Sequence, residues 1–340
     1  MHARMPTLRR DTKAVLAVLS YHSWEVDVAT LRDDVRALRR EGWSFVSASE
    51  ALALIRSERV PAPRCVLLTT DDGHVEDEEW AGALRDLECQ AVTFVCSALV
   101  PPERREFYRR MACSEDFAVE DHGSRHSQHV SSSRVLGYVA EPTPARAREG
   151  IVLAPGEPLL ATASEVESRR FDPEPEAIRV LRMAATSASP SDIRGSRWRA
   201  GVEVELIRRR LAMRRLGRLY LRGTFETREQ YETRVAEYLR RSRDSFEQMF
   251  GRPPRLYAYT WWAGNDTTDD ILRRLGYLGS LRGTGAMQRP DGRTFAIPRI
   301  PIGPSTPRPL DLEGQPVRAR LPRPGLAPLR IAAKRIFGIG

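Results

Sequence analysis

Two adjacent carboxylates, Asp71 and Asp72, follow the apolar run 65–69 (CVLLT), and a His-x-x-x-His element lies further along the chain at His122 and His126. A run of this length that is rich in Val and Leu is typical of a buried strand, whose last residues point out of the sheet at its C-terminal end. One carboxylate and two imidazoles can hold a divalent metal and leave a coordination position open for water. The second carboxylate can then accept a proton from that water. The pattern therefore indicates metal-assisted hydrolysis.

Alternating strands and helices are predicted to position these side chains. In the first half of the chain we expect strands at 14–21, 65–70, 91–96 and 117–120, with helices at 28–40 and 76–87. Ser47 and Glu50 form a capping-box pattern, which predicts another helix start. In the second half we expect a helix at 231–250, a strand at 255–259, a helix at 269–275 and a strand at 277–280. This order predicts parallel strands joined by helical crossovers.

The composition is that of a globular protein in a reducing compartment. A chain of 340 residues can bury a large core, and 54 Lys and Arg against 45 Asp and Glu give a net charge of +9. Most basic residues are arginines in segments that also carry acidic residues, which indicates solvated helix faces, so nucleic-acid binding rests on charge alone. The cysteines, Cys65, Cys89, Cys96 and Cys113, lack paired metal-site spacing and indicate reduced thiols. We therefore expect a cytoplasmic location and no nucleic-acid partner.

The regular alternation of elements breaks between about residues 141 and 222, where prolines and a Ser/Ala-rich stretch replace it. We interpret residues 1–302 as one domain, interrupted there by a long, mostly irregular or helical insertion that covers the face carrying the ligands. An Arg-rich helix is expected within the insertion at 204–216. Residues 303–340 form a Pro/Arg-rich tail, which ends in a short basic amphipathic helix at 329–337. Such a helix can touch an anionic membrane surface or pack on the domain.

The N-terminal region predicts neither a signal peptide nor a membrane span. The apolar run 14–19 is short and lacks a small-residue cleavage site, so we interpret it as a first strand. No stretch approaches the ~20 apolar residues that a transmembrane helix needs. Contact with a membrane is therefore expected only at its inner face, through the C-terminal helix.

Five segments resemble motifs of the polysaccharide deacetylases, the metal-dependent family-four carbohydrate esterases, and occur in the order typical of that family. Residues 19–22 (LSYH) are similar to its first strand, and 69–73 (TTDDG) to its T-F-D-D-G motif. Residues 91–95 (AVTFV) resemble its A-T-x-F-V strand, and 122–126 (HGSRH) its H-[ST]-x-x-H motif. Residues 251–261 (GRPPRLYAYTW) resemble its G-R-P-x-x-x-F-A-Y-P-W strand. The resemblance extends from Val15 to about Ile302.

The resemblance implies a distorted (β/α) barrel, TIM-barrel-like, with its active site at the C-terminal ends of the strands. It implies that Asp71 is the catalytic base and that Asp72, His122 and His126 bind the metal. Zn²⁺ is the usual ion of the family, with Co²⁺ or Ni²⁺ as alternatives. The implied reaction is hydrolysis of the N-acetyl group of an amino sugar. We expect the substrate to be a nucleotide-linked or lipid-linked sugar in polysaccharide or glycoconjugate biosynthesis.

The chain departs from the family pattern at two places. Thr260 replaces the usual Pro, so the loop around the expected substrate-binding residues Tyr259, Trp261 and Trp262 is altered. Many members also have a late His that acts as general acid, whereas residues 296–302 contain none.

Other residues near the motifs have open roles. His74 and His129 are the nearby candidates for the acid, with water as the alternative. His22 is expected to pack near the mouth of the barrel. Arg134 and Arg299 are expected either to pair with Asp71 or to lie on the surface.

Two other functions remain open on the same fold. The enzyme could remove a formyl group or open a cyclic amide, because both reactions also break a C–N amide bond. A catalytically silent sugar-binding homologue is the other alternative, and the missing late His motivates it. The sugar, its carrier, the metal and the oligomeric state are not predicted.

Overall fold

The computed structural model describes residues 14–59, 61–114, 117–141, 153–283 and 285–316. The helix expected at 329–337 lies outside this range. The chain divides into two compact units, one formed by the residues up to Arg125 together with those from Tyr238 on, the other by His126–Glu237. No helix among the described residues is long and apolar enough to span a membrane.

The strands are, in chain order, β1 (Val15–Tyr21), β2 (Ser44–Phe45), β3 (Arg64–Asp72), β4 (Ala91–Val95), β5 (Phe117–Asp121), β6 (Gln128–Tyr138), β7 (Pro158–Ser164), β8 (Phe171–Pro173), β9 (Ala212–Arg215), β10 (Arg218–Leu221), β11 (Gly223–Phe225), β12 (Leu256–Ala258), β13 (Gly279–Gly283) and β14 (Ile297–Pro301). The α-helices are α1 (Val28–Arg40), α2 (Ala48–Ile55), α3 (Asp77–Asp86), α4 (Arg105–Ala112), α5 (Pro175–Thr186), α6 (Pro190–Arg194), α7 (Ser196–Arg208), α8 (Arg228–Phe250) and α9 (Asp266–Arg274).

The first unit is a closed barrel of parallel strands. Its 7 strands follow the order β1-β14-β13-β12-β5-β4-β3, and the pairing of β3 with β1 closes the ring. Strand β2 pairs with the start of β3, at Cys65 and Val66, ahead of the part of β3 that pairs with β4. The predicted (β/α) barrel is therefore confirmed. The predicted capping box is also present, because the Ser47 side chain accepts a hydrogen bond from Glu50 N.

Alternation along the strands separates the two cores of the barrel. On β3, Cys65 and Leu67 belong to an inner cluster that also contains side chains of β4, β12 and β14. Val66 and Leu68 belong to an outer cluster, where the strands pack on helices. Because successive strand residues point to opposite sides, Asp71 is in phase with the inner set. The strand thus carries Asp71 to the mouth of the barrel on its inner side.

The second unit contains strands that the sequence pattern does not reveal. An antiparallel sheet has the order β7-β6-β10-β9, and β11 pairs with β8 in a separate ribbon. Helices α5 and α7 contribute Leu181 and Leu206 to its core. The unit begins and ends outside the expected limits of 141 and 222. The helix expected at 204–216 is wrong over its second half, since α7 ends at Arg208 and β9 follows. Because these exposed arginines show no apolar periodicity, the sequence does not distinguish the end of a helix from the start of a hairpin.

Candidate active site

Asp71 and Asp72 end strand β3 with different backbone conformations. Asp72 has φ of 77°, in the left-handed region, so its side chain leaves the alternation of the strand. Gly73 follows with φ of 73°, and a Cβ on it would lie 2.9 Å from Val95 Cγ1. Only glycine meets both constraints at that position without strain. The left-handed conformation of Asp72 therefore directs the two carboxylates to neighbouring but distinct positions.

Asp72, His122 and His126, the residues that the sequence predicts as metal ligands, form a candidate metal-binding cluster. One ligand atom from each side chain lies within 4.8 Å of the other two. His122 follows β5 directly, and its Nδ1 is 2.8 Å from the carbonyl oxygen of Ala258. Nδ1 must carry the proton to donate this hydrogen bond, so the Nε2 lone pair is available, 3.4 Å from Asp72 Oδ1. This donor set, with one imidazole oriented by a backbone carbonyl, fits a divalent metal such as zinc.

Asp71 is held by a buried arginine. Arg299, on β14, donates from its Nη1 to both carboxylate oxygens at 2.7 and 2.8 Å, and its side chain is 0% exposed. Burial alone would raise the pKa of the Asp71 carboxyl, but the charge of Arg299 and the hydrogen bonds that it donates outweigh burial and hold that pKa below its ordinary value. Asp71 is therefore ionised at neutral pH. Of the two arginines left open by the sequence, Arg299 is the partner, whereas Arg134 lies on β6 in the second unit.

His22 is a site residue to which sequence reasoning assigned no chemical role. It directly follows β1, and its Nε2 lies 3.9 Å from Asp72 Oδ2, while its Nδ1 lies 3.3 Å from Glu25 Oε2. Burial by itself lowers the pKa of the His22 imidazole, but the hydrogen bond with Glu25 and the charges of Asp71 and Asp72 raise it above its ordinary value. The LSYH segment carried a signal, because a His at the end of a barrel strand points to the mouth.

The other candidates for the acid have different surroundings. His74 is exposed and pairs with Glu76. His129 is buried in the second unit, where its Nε2 lies 3.4 Å from Ser168 Oγ. Burial, together with the charges of Arg234 and Arg170, lowers its pKa to about 4. An imidazole that stays neutral lacks the acidic second proton that a general acid donates.

Aromatic side chains surround His22. The Trp262 ring centroid is 6.2 Å from that of His22, and its Nε1 donates to Ser20 Oγ at 3.4 Å. The Trp24 ring centroid is 5.7 Å from that of His22, and Trp24 is 51% exposed. Trp261 is half-buried with φ of 58°. These rings offer apolar surface beside the imidazole.

Tyr259 has a different environment from the tryptophans. Its side chain has no exposed surface, and its hydroxyl donates to Asp269 Oδ1 at 2.8 Å. Its ring packs against Gly264, where an added Cβ would come within 2.5 Å of Tyr259 Cζ. A side chain without accessible surface cannot contact a sugar, so the expected substrate-binding role of Tyr259 is not retained.

Asp121 supports the loop that carries the histidines, and sequence reasoning missed it. Its carboxylate accepts hydrogen bonds from Gly123 N at 2.8 Å, Ser242 Oγ at 2.9 Å and Tyr277 Oη at 2.5 Å. Burial raises its pKa to about 6 in spite of these donors. An acidic residue at the end of β5, next to His122, was the available signal. Ser242 and Tyr277 are more than a hundred residues away in the sequence, so their convergence on Asp121 could not be read from it.

Comparison with protein-family models and with curated proteins gives no match. Among solved structures, the chain is similar to the BpsB deacetylase domain from Bordetella bronchiseptica, with a TM-score of 0.57 and 17% identity over 86% of this chain and 98% of that one. It is also similar to a de-N-acetylase from Aggregatibacter actinomycetemcomitans, with a TM-score of 0.56 and 14% identity over 86% and 97% of the two chains. IcaB from Ammonifex degensii gives a TM-score of 0.52 and 16% identity over 86% and 94%. The closed parallel barrel and these structural likenesses together give the chain the fold of the polysaccharide deacetylases.

Proposed function

We propose that the chain belongs to the polysaccharide deacetylases in activity as well as fold, and that it removes the N-acetyl group of an amino sugar in a metal-dependent hydrolysis. The observation that carries the proposal is the ionised, buried Asp71 directly beside the cluster of Asp72, His122 and His126. Parallel barrels place their active sites at the C-terminal ends of the strands, where β3 and β5 bring these side chains. The solved structures described as deacetylases support the same reaction class.

The metal-binding side chains and Asp71 divide the work on the attacking water. A divalent ion held by Asp72, His122 and His126 would supply a Lewis acid that polarises the acetyl carbonyl and lowers the pKa of a bound water. Asp71 accepts the proton of the attacking water, and Arg299 keeps its carboxylate ionised and oriented for that transfer. Zn²⁺ fits one carboxylate and two imidazoles, and Co²⁺ or Ni²⁺ can replace it in such a site.

His22 is the side chain that we assign to the leaving group. Breaking the C–N bond leaves an amine nitrogen that must gain a proton, while the water oxygen forms the new C–O bond of acetate. His22 is close to Asp72, and Glu25 orients its other nitrogen. It therefore takes the role that a late His has in many members of the family, and for which His74, His129 or water were the candidates here. The flanking rings of Trp24 and Trp262 give the sugar an apolar wall beside the scissile bond.

The experiment measures metal content and acetate release on the same preparations. Wild type is expected to hold about one metal per chain and to release acetate from N-acetylglucosamine-type nucleotide sugars or oligosaccharides. Asp71→Asn keeps the metal and loses turnover. His122→Ala and His126→Ala lose the metal. His22→Ala keeps the metal but lowers kcat by roughly 100-fold or more, as expected for loss of a proton donor. His74→Ala is the matched control, an exposed histidine that should leave both readings unchanged.

Each alternative predicts a different result. Metal retained in His122→Ala and His126→Ala would reject the cluster as the binding site. Loss of metal in His22→Ala would make His22 a ligand instead of a proton donor. Formate release from N-formyl sugars, or opening of cyclic amides, without acetate release would keep the mechanism and change the substrate. An intact metal site with no hydrolysis of any of these would favour the sugar-binding homologue.

We further propose a cytoplasmic enzyme that acts on a nucleotide-linked or lipid-linked sugar.

A further inference from the structure

The hairpin formed by β9 and β10, residues 212–221, is named here the arginine hairpin. It lies entirely within the second unit, and Leu216-Gly217 forms its two-residue turn. The register places Arg215 opposite Arg218 and Met213 opposite Tyr220. The sequence of the segment, AMRRLGRLYL, contains no acidic residue. The arginine hairpin is therefore a local concentration of positive charge.

Its two faces differ in character. Directly opposite residues share a face of an antiparallel pair, and successive residues alternate between faces. Ala212, Leu219 and Leu221 are buried in the core of the unit, and Arg214 on that face pairs with the buried Glu203. The other face carries exposed and half-buried side chains, namely Met213, Arg215, Arg218 and Tyr220. Arg134 of β6 continues this face, because it lies opposite Tyr220.

The opposed arginines and the turn residue of the arginine hairpin oppose folding of the chain. Arg215 and Arg218 are directly opposed like charges, which destabilise a strand pair. Neither forms an ion pair with an acidic side chain among the described residues. Leu216 has φ of 48°, a conformation that favours Gly or Asn in two-residue turns. Its side chain is also 91% exposed. Neither the opposed arginines nor Leu216 stabilises the unit, so these residues indicate a surface that binds a partner.

We propose that the arginine hairpin docks on an anionic lipid membrane. Guanidinium groups pair well with phosphate, and arginines keep their charge in water while their stems lie along apolar surface. Leu216 at the tip would enter the acyl boundary, and the directly opposed Met213 and Tyr220 would lie at the headgroup level that tyrosine prefers. A nucleic acid also offers phosphates, but it offers no apolar layer for an exposed Leu at the tip. The combination of charge and apolar tip therefore selects the membrane.

The test is sedimentation of the full chain with vesicles of phosphatidylcholine alone or mixed with phosphatidylglycerol. Wild type should bind the mixed vesicles and lose binding at high salt. The double variant Arg215→Gln/Arg218→Gln should bind about 30-fold more weakly, because each arginine near an anionic surface contributes about a factor of five. Leu216→Asn should bind roughly tenfold more weakly. It should also keep or raise the Tm, since Asn tolerates the turn conformation better than Leu.

The matched control is Arg240→Gln/Arg241→Gln, which removes the same charge from two exposed arginines of α8. This variant should bind the mixed vesicles like wild type. The proposal is overturned if wild type shows no preference for the anionic vesicles, or if the control loses as much binding as the hairpin variants. It is equally overturned if both hairpin variants bind like wild type, in which case another segment, such as the basic C-terminal sequence 329–337, carries the interaction.

Discussion

At the scale of single residues, the pairing of Asp71 with Arg299 controls the state of the proposed base. Both side chains are almost entirely removed from water, and each would be costly to bury alone. The pair keeps Asp71 charged, which a base requires, but it also makes that carboxylate a weaker proton acceptor. A base of this kind can act only on a water that is already acidified. In the proposed mechanism, a metal ion held by Asp72, His122 and His126 would supply that acidification.

Replacement of Arg299 by Met should destabilise the chain by about 3–5 kcal/mol, because it leaves the Asp71 carboxylate buried without its counter-charge. Asp71→Asn should cost less, and the double variant Asp71→Asn/Arg299→Met should be more stable than Arg299→Met alone. Denaturant unfolding of the four proteins measures the coupling. Strictly additive effects of the two substitutions would show that the pair does not interact in the way the geometry indicates.

At the scale of elements, the loop after β5 determines whether both histidines reach one metal. Asp121 anchors the loop from below through Gly123 N. Gly123 has φ of 92°, and a Cβ there would meet Tyr238 Oη at 2.7 Å and Tyr257 Oη at 3.1 Å. Only glycine fits here without strain, because a Cβ would lie too close to the two tyrosine hydroxyls. The candidate metal ligands His122 and His126 lie on either side of this point.

Gly123→Ala should weaken metal binding by about 10–100-fold, as is usual when groups that orient metal ligands are disturbed. The matched control is Gly42→Ala, since Gly42 has φ of 82° but no atom within 4 Å of an added Cβ. Both variants carry a similar backbone strain of about 1 kcal/mol, so both should lower the Tm slightly. Competition with a chelator measures metal affinity. Equal affinity in the two variants would mean that the tyrosine contacts do not position the loop.

At the scale of the whole molecule, the second unit has its own pH dependence through His129. The folded unit holds this imidazole neutral with a pKa of about 4, below the value of about 6.5 expected in the unfolded chain. Below about pH 6.5 the unfolded chain binds a proton that the folded unit excludes, so stability falls as the pH drops toward about 4.

Wild type should therefore lose about 2 kcal/mol relative to His129→Gln between about pH 7 and about pH 5. Denaturant unfolding of the two proteins at both pH values measures the change. If the difference in the free energy of unfolding between wild type and His129→Gln did not vary with pH, the buried, neutral state of His129 would be contradicted.

The barrel and the metal-binding cluster could be predicted because their signals are local. Asp72 ends an apolar run, and His122 and His126 are four residues apart, so their types and spacing are visible in the sequence. Arg299 and His22 reach the site only because β14 and β1 are neighbours in the closed ring, and that closure has no local signature. Tyr259 resembles a site residue by motif, but tertiary packing buries its side chain.

The second unit was harder to predict because its signals are weak or misleading. The exposed arginines of β9 and β10 suggest a solvated helix, since arginine is a good helix former and provides no apolar alternation. The hairpin is specified by the core residues Ala212, Leu219 and Leu221, which are few and interrupted by charges. The apolar partners of these residues lie far along the chain, on elements that short-range patterns cannot bring together.

Strand β3 has neighbours on both edges, with β1 along one side and β2 then β4 along the other. Its backbone amides are therefore shielded from solvent by two strands, and opening them requires opening the barrel itself. The candidate site thus combines two kinds of support: β3 carries Asp71 and Asp72 at its end, whereas His126 belongs to a loop. Transient opening of that loop would withdraw His126 while both carboxylates stay in place, so an ion held by Asp72, His122 and His126 could exchange without the barrel coming apart.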